Sequence, residues 1–152
     1  MSETERPNPD AATLIRRWFD EVWNQGREEA IDELLSEDAT MWGIGRPGEP
    51  SKGSSEFKKF HKTMLSALSK MKITLDQVVQ EGDTAFARWT VTAKHTGGGL
   101  GTEATQKQLK ITGISAGRVR DGMIVEAWNI WDQIGMARQL GMLDGPAATL
   151  FP

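Results

Sequence analysis

The sequence predicts an α+β domain, with helices first, then long alternating strands, then one last helix. Three observations carry this reading. Over much of residues 10–68 the apolar positions recur at helical spacing. From 72 to 131 they alternate, and no segment repeats itself. Size and composition suit one core: 152 residues, 38% hydrophobic and 26% charged. The expected organisation is a disordered tail over residues 1–10 and a single domain over 11–152.

The elements follow in order. Asp10 stands where it can cap a helix whose stripe is Leu14, Ile15, Trp18, Phe19, Val22 and Trp23, wide enough to be buried along most of one side. "NQG" at 24–26 stops that helix, and Ile31, Leu34 and Leu35 mark a short second one. "ATMWGIG" (39–45) reads as a short strand running into the loop "GRPGEPSKGS". Ser54 or Ser55 starts a third helix with Phe57, Phe60, His61, Met64, Leu65 and Leu68 on one face. The stretch "KITLDQVVQEGDTAFARWTVTAKHTGG" then gives two strands turning at "EGD", and "GGGLGTEA" is a loose connection. Two more strands meet at "RDG", a tight-turn signal, which makes a four-stranded antiparallel meander. "QIGMARQLGML" is the closing helix.

Composition narrows the function. A net charge of −3 gives no reason to expect nucleic acid or an anionic membrane as partner. The lack of cysteine rules out disulfides, thiolate catalysis and cysteine-ligated zinc. "MSETERPNPD" lacks the apolar core of a signal peptide and no apolar run is long enough to span a bilayer, so the expected location is cytoplasmic. Two histidines without a carboxylate at ligand spacing argue against a dedicated metal site. "GGGLG" leads into a strand rather than a helix N-terminus, so it is not a phosphate loop. Six Trp and no Tyr suit an apolar cavity as well as a core.

The order of elements, the ending "RDGMIVEAWNIWDQIGMARQLG" and the strand end "TAKHTGG" resemble the SnoaL-like polyketide cyclase and ester cyclase branch of the nuclear-transport-factor-2-like (NTF2-like) superfamily, from Ala11 to Leu143. The resemblance implies a cone: a curved antiparallel sheet wrapped on the N-terminal helices, with a concave pocket. It implies a small apolar or aromatic carbonyl compound as ligand, no cofactor, and acid/base chemistry such as aldol or ester ring closure where the protein is catalytic. Because this fold also hosts non-enzymes and epoxide hydrolases, a non-catalytic small-molecule-binding module is the alternative. An epoxide hydrolase-like reading comes third, since Arg88 and Arg118 fall on the outer face.

Candidate site residues follow from alternation and from the resemblance. On the last strand Ala127, Asn129 and Trp131 share one face, and Trp128 and Ile130 the other. The cyclases that this chain resembles carry an acid/base carboxylate on that strand, and the matching position is Asn129. An amide can orient a carbonyl but cannot take a proton from carbon. Asp132, at the strand-to-helix corner, is either the helix cap or, turned inward, the base. His61 is a base or donor if its helix face lines the cavity, and otherwise reaches solvent. His95 shares the interior face of its strand with Trp89 and Val91, either holding the strand end or meeting the ligand. Gly113 and Ser115 match positions where those cyclases carry polar groups; here their small size is expected to widen the cavity. Trp18, Phe57, Phe60, Met64, Trp89 and Trp131 are cavity wall or plain core, and Trp42 is placed at the mouth. Phe86, Thr90, Thr92, Ile114, Trp128 and Ile130 make an apolar outer sheet face, from which a homodimer is expected.

Overall fold

In the computed structural model, which describes residues 8–143, helices cover one face of a curved sheet. The first seven residues of the expected tail, and residues 144–152, lie outside the described residues. Asp10 caps α1 (Ala11–Arg17), its carboxylate accepting from the Thr13 amide at 2.8 Å. The helix then widens into π-helical turns over Trp18–Asn24, where the sequence predicts one uniform helix. The wider turns hold Trp18, Phe19 and Val22 buried against the sheet. A cluster of Arg17, Glu21 and Arg27 ties this segment to α2 (Glu28–Leu34). The hydrogen bond from Arg17 holds the Glu21 carboxyl below its ordinary range.

The chain passes from α2 directly into β1 (Leu35–Trp42), so this strand starts four residues before the predicted one. Its polar middle, Ser36-Glu37-Asp38, hides it from alternation. A two-residue strand, β2 (Ser51–Lys52), lies inside the predicted loop and leads into α3 (Gly53–Ala67). Four long strands follow: β3 (Leu68–Glu81), β4 (Thr84–His95), β5 (Gln108–Arg120) and β6 (Met123–Trp131). They form the predicted antiparallel meander, but among the described residues the sheet has six strands in the order β2-β1-β6-β5-β4-β3. β1 joins it parallel to β6, pairing Met41 with Ala127 and Trp42 with Trp128. At "RDG" Arg120 pairs with Met123 across Asp121 and Gly122, whose φ values of 52° and 78° make a tight turn of matching twist. The short α4 (Gln133–Gln139) closes the described chain. Among the described residues no helix is long and apolar enough to cross a membrane.

Leu14, Ile31, Leu34, Leu35, Met41, Leu109 and Ile124 are fully buried between the helices and the inner sheet face. Burying each such side chain contributes about 1.5–3 kcal/mol. The outer face is different. Val79, Phe86, Ala116, Trp128 and Trp42 lie in one register row across five strands, and all but Ala116 are exposed.

β3 is an edge strand, and the helical layer satisfies its backbone at Ile73. The Asn24 side chain donates to the Ile73 carbonyl at 2.9 Å and accepts from the Ile73 amide at 2.7 Å. From the same strand the Gln80 side chain accepts from the Ala12 backbone amide of α1. The Asn24 contact occupies one position of a strand edge that would otherwise be open there to another chain. Asn24→Ala removes two hydrogen bonds, so urea denaturation is expected to show a loss of about 1–3 kcal/mol. Faster hydrogen exchange at the Ile73 amide should accompany it, and an unchanged Ile73 amide would show that the edge is protected otherwise.

Candidate active site

The inner sheet face and the helices line a cavity of about 110 Å³. Its walls come from every layer: Trp18, Phe19 and Trp23 from the π-helical turns, Phe57, Phe60 and Met64 from α3, and the inner residues of β1 and β3–β6. Trp18 and Phe57 pack with ring centroids 4.8 Å apart. The register explains the sheet wall. Trp89, Gly113 and Trp131 stand directly opposite one another on β4, β5 and β6, and the next row is Ala87, Ser115 and Asn129.

Gly113 does not widen the cavity as its size suggests. A Cβ there would lie 2.4 Å from Cζ2 of Trp89 and 2.8 Å from Cβ of Trp131. The space of the missing side chain is filled by the Trp89 indole. Lying so, that indole donates from Nε1 to Ser115 Oγ at 3.0 Å. Ser115 donates in turn to Asn129 Oδ1 at 2.7 Å, and Asn129 Nδ2 donates to the Trp42 carbonyl at 3.1 Å. The direction is fixed at both ends, because an indole N–H can only donate and a carbonyl can only accept. This assigns the Asn129 amide orientation unambiguously. Beside it Trp131 Nε1 donates to the Gly43 carbonyl at 3.1 Å. Ser115 and Asn129 therefore stand as a polar pair in a wall of apolar and aromatic side chains.

The other sequence candidates lie elsewhere. Asp132 does not turn inward: it is the exposed N-cap of α4, and its Oδ1 accepts from the Gly135 amide at 2.7 Å. His61 is buried, but it packs against Trp23 and Phe57 outside the cavity wall. Its Nε2 lies 2.7 Å from the Val22 carbonyl, so that nitrogen carries a proton and ties α3 to the π-helical turns. His95, also fully buried, is off the cavity wall as well. The Thr105 amide donates to its Nδ1 at 3.1 Å, which leaves the ring proton of the neutral form on Nε2. That Nε2 has no hydrogen-bond partner among the described residues. Trp42 contributes its carbonyl, while its ring is exposed on the outer face beside Trp128. Trp18, Phe57, Phe60, Met64, Trp89, Ser115, Asn129 and Trp131 do meet in the cavity wall.

Trp23, Met41, Met71 and Ile73 also line it. The alternation of Met71 and Ile73 against Lys70 and Lys72 carries the signal for β3, while Met41 needs the parallel pairing that no local pattern shows. No ionisable side chain is in the wall among the described residues. Nor do the described residues contain a group of three His, Cys, Asp or Glu able to hold a metal ion.

The amide at 129 has a structural reason. The Trp42 carbonyl accepts from the amide, and a carboxylate there would present a second acceptor to it. Asn129→Asp should therefore raise the new carboxyl's pKa, since only its protonated form can donate and burial disfavours its charge. The unfolded chain would ionise near the usual value of about 3.9. Stability relative to the wild type should thus be fully kept below that pH, fall as pH rises from there to the raised folded value, and level off above it. A tenfold tighter hold on the proton in the folded state corresponds to about 1.4 kcal/mol of this loss. Urea titrations of both proteins between pH 4 and 8 read this directly, and a pH-independent difference would mean that position 129 is solvated.

Comparison with known proteins places this geometry. Residues 13–140 match the model of the family described as SnoaL-like polyketide cyclase. IdmH of Streptomyces antibioticus, provisionally designated a polyketide cyclase, is 28% identical, with 88% of this chain and 99% of that one covered and a TM-score of 0.75. TsrD of Streptomyces laurentii is 25% identical over 86% of this chain and 94% of that one, also at 0.75. A SnoaL-like protein of Jannaschia shares the fold at 15% identity, with a TM-score of 0.78 over 91% of this chain and 99% of its own. No protein of curated function matches the sequence. With the family model covering most of its length and the same α+β architecture in these neighbours, the chain belongs to the SnoaL-like polyketide cyclase family.

Proposed function

We propose that the cavity binds a small, uncharged carbonyl compound and that Asn129, oriented by the Trp42 carbonyl, holds its oxygen. The observation that carries this reading is the polar pair in an apolar wall that, among the described residues, has no ionisable group. Such a wall favours a neutral ligand, and a donor fixed at one point orients the carbonyl. Family membership supports cofactor-free ring closure of the aldol kind. There an enol carbon attacks a second carbonyl, and the proton lost from the nucleophile returns to the new alkoxide, so nothing is consumed. The residues supply confinement of the two reacting carbons and a hydrogen bond to the oxygen that gains charge. Asp132 and His61, outside the wall, are not the base in this reading.

A binding role without turnover is the second reading, favoured by the same lack of ionisable groups in the wall among the described residues. Cyclisation of an uncharged 1,5-diketone separates the two. The first reading expects acceleration by the wild type and a loss of roughly 10²–10³-fold in Asn129→Ala, the usual effect of removing one such donor. Binding of the diketone without acceleration would establish the second.

We further propose that two copies associate through the outer sheet face. Phe86, Ile114, Trp128 and Ile130 are exposed there, Ile130 at 79%. An isologous contact of this patch with itself closes as a dimer. Light scattering at micromolar concentration should give twice the monomer mass, and Trp128→Glu should give the monomer mass by placing an unpaired charge in the contact. A wild-type monomer would refute the assignment.

A further inference from the structure

The free hydrogen-bonding capacity of the polar pair specifies more than a carbonyl oxygen, provided that the cavity is the ligand site proposed above. Each member has a countable number of valences. Asn129 has two N–H groups, of which one is taken by the Trp42 carbonyl. Its Oδ1 has two lone pairs, of which one accepts from Ser115. Ser115 Oγ spends its proton on Asn129 and one lone pair on the Trp89 indole. One N–H and two lone pairs therefore remain. A ketone oxygen, which only accepts, uses the N–H and leaves both lone pairs idle. A carboxylate would find one donor and, among the described residues, no cation in the wall, so its desolvation would go uncompensated. A hydroxyl, which donates and accepts at one atom, uses the N–H and one lone pair together.

Size adds the second restriction. The cavity of about 110 Å³ is below the roughly 300–1,000 Å³ of pockets for drug-sized ligands. It is closer to the apolar cavity of about 150 Å³ that takes up benzene. We infer that this cavity selects an uncharged one-ring compound in its enol or phenol form, the hydroxyl accepting from Asn129 Nδ2 and donating to Ser115 Oγ. Binding the enol rather than the ketone favours the tautomer that is already nucleophilic at carbon.

Calorimetric titration of the full chain at pH 7 with phenol, acetophenone and benzoate tests this, phenol serving as a fixed enol and acetophenone as an acceptor-only ring. In the wild type, benzoate should bind at least about tenfold more weakly than phenol. Ser115→Ala should weaken phenol by about three- to tenfold, the range of one hydrogen bond, while changing acetophenone less than about twofold. Asn129→Ala should weaken both. Melting curves of the two variants verify that they fold, and the wild-type ratio of phenol to benzoate stands without them. Equal effects of Ser115→Ala on phenol and acetophenone would overturn the enol inference and leave the carbonyl reading intact. Benzoate binding as tightly as phenol would overturn it as well. Heat from none of the three probes would overturn both readings, because the cavity would then not be a ligand site.

Discussion

One chain of side-chain hydrogen bonds crosses the four middle strands of the sheet, from Trp89 on β4 through Ser115 on β5 and Asn129 on β6 to the Trp42 carbonyl on β1. Backbone ladders hold neighbouring strands at a fixed spacing, but they leave open how side chains share the inner face. Here that question is decided by donor and acceptor matching. The indole must lie flat to reach Ser115, and it can do so only because residue 113 has no Cβ. The far end of the chain fixes the exit of β1, where Asn129 and Trp131 hold the consecutive carbonyls of Trp42 and Gly43. Cavity shape, polar pair and loop exit are thus one arrangement, and a change at any of its members reaches the other three strands.

The helical layer meets this sheet through contacts of a different kind. π-helical turns bring Trp18, Phe19 and Trp23 to the cavity within seven residues, and the widening leaves carbonyls whose partners come from outside the helix. His61 serves the Val22 carbonyl. At the same end, Asn24 is committed to the edge of β3. The two side chains dock the wide turns to α3 and to the sheet, so the aromatic wall is held from two directions. In this chain His61 thus joins two helical segments. His95 follows the same logic, its Nδ1 closing the base of the 96–107 connection through Thr105.

Much of the architecture is legible in the sequence because the signals are local. Asp10 before the stripe of Leu14 to Trp23, the alternation from Lys72 to Trp131 and the Asp121-Gly122 turn each specify their element without help from the rest of the chain. The parallel pairing of β1 with β6 is not legible, since Leu35–Trp42 carries charged residues in its middle and its partner lies about 85 positions away. The π-helical widening is equally hidden, because a doubled apolar stripe fits either helical pitch. At the site, alternation brings Trp89, Ser115, Asn129 and Trp131 to the inner face. What it cannot show is which side chain fills the gap left by a glycine. Gly113 suggests open space in the sequence, and a neighbouring strand fills it. His61 is a related case: the helix face is shared between cavity and interhelical contact, and periodicity does not divide the two.

The Trp89–Gly113–Trp131 row also bears on how such a pocket changes over generations. In most cores, volume is altered by trimming or enlarging a side chain, and the surroundings relax by small amounts. Here a large ring is parked over an empty backbone position, and its polar edge is engaged with Ser115. Any residue other than glycine at 113 evicts the ring, and loss of the ring vacates the space, so the available states are few and far apart. In the lineage of such a protein the volume of the cavity would be expected to change in jumps rather than by gradual drift. Its polar pair would then face a new occupant at once, with its hydrogen-bonding direction still set by the carbonyl of Trp42.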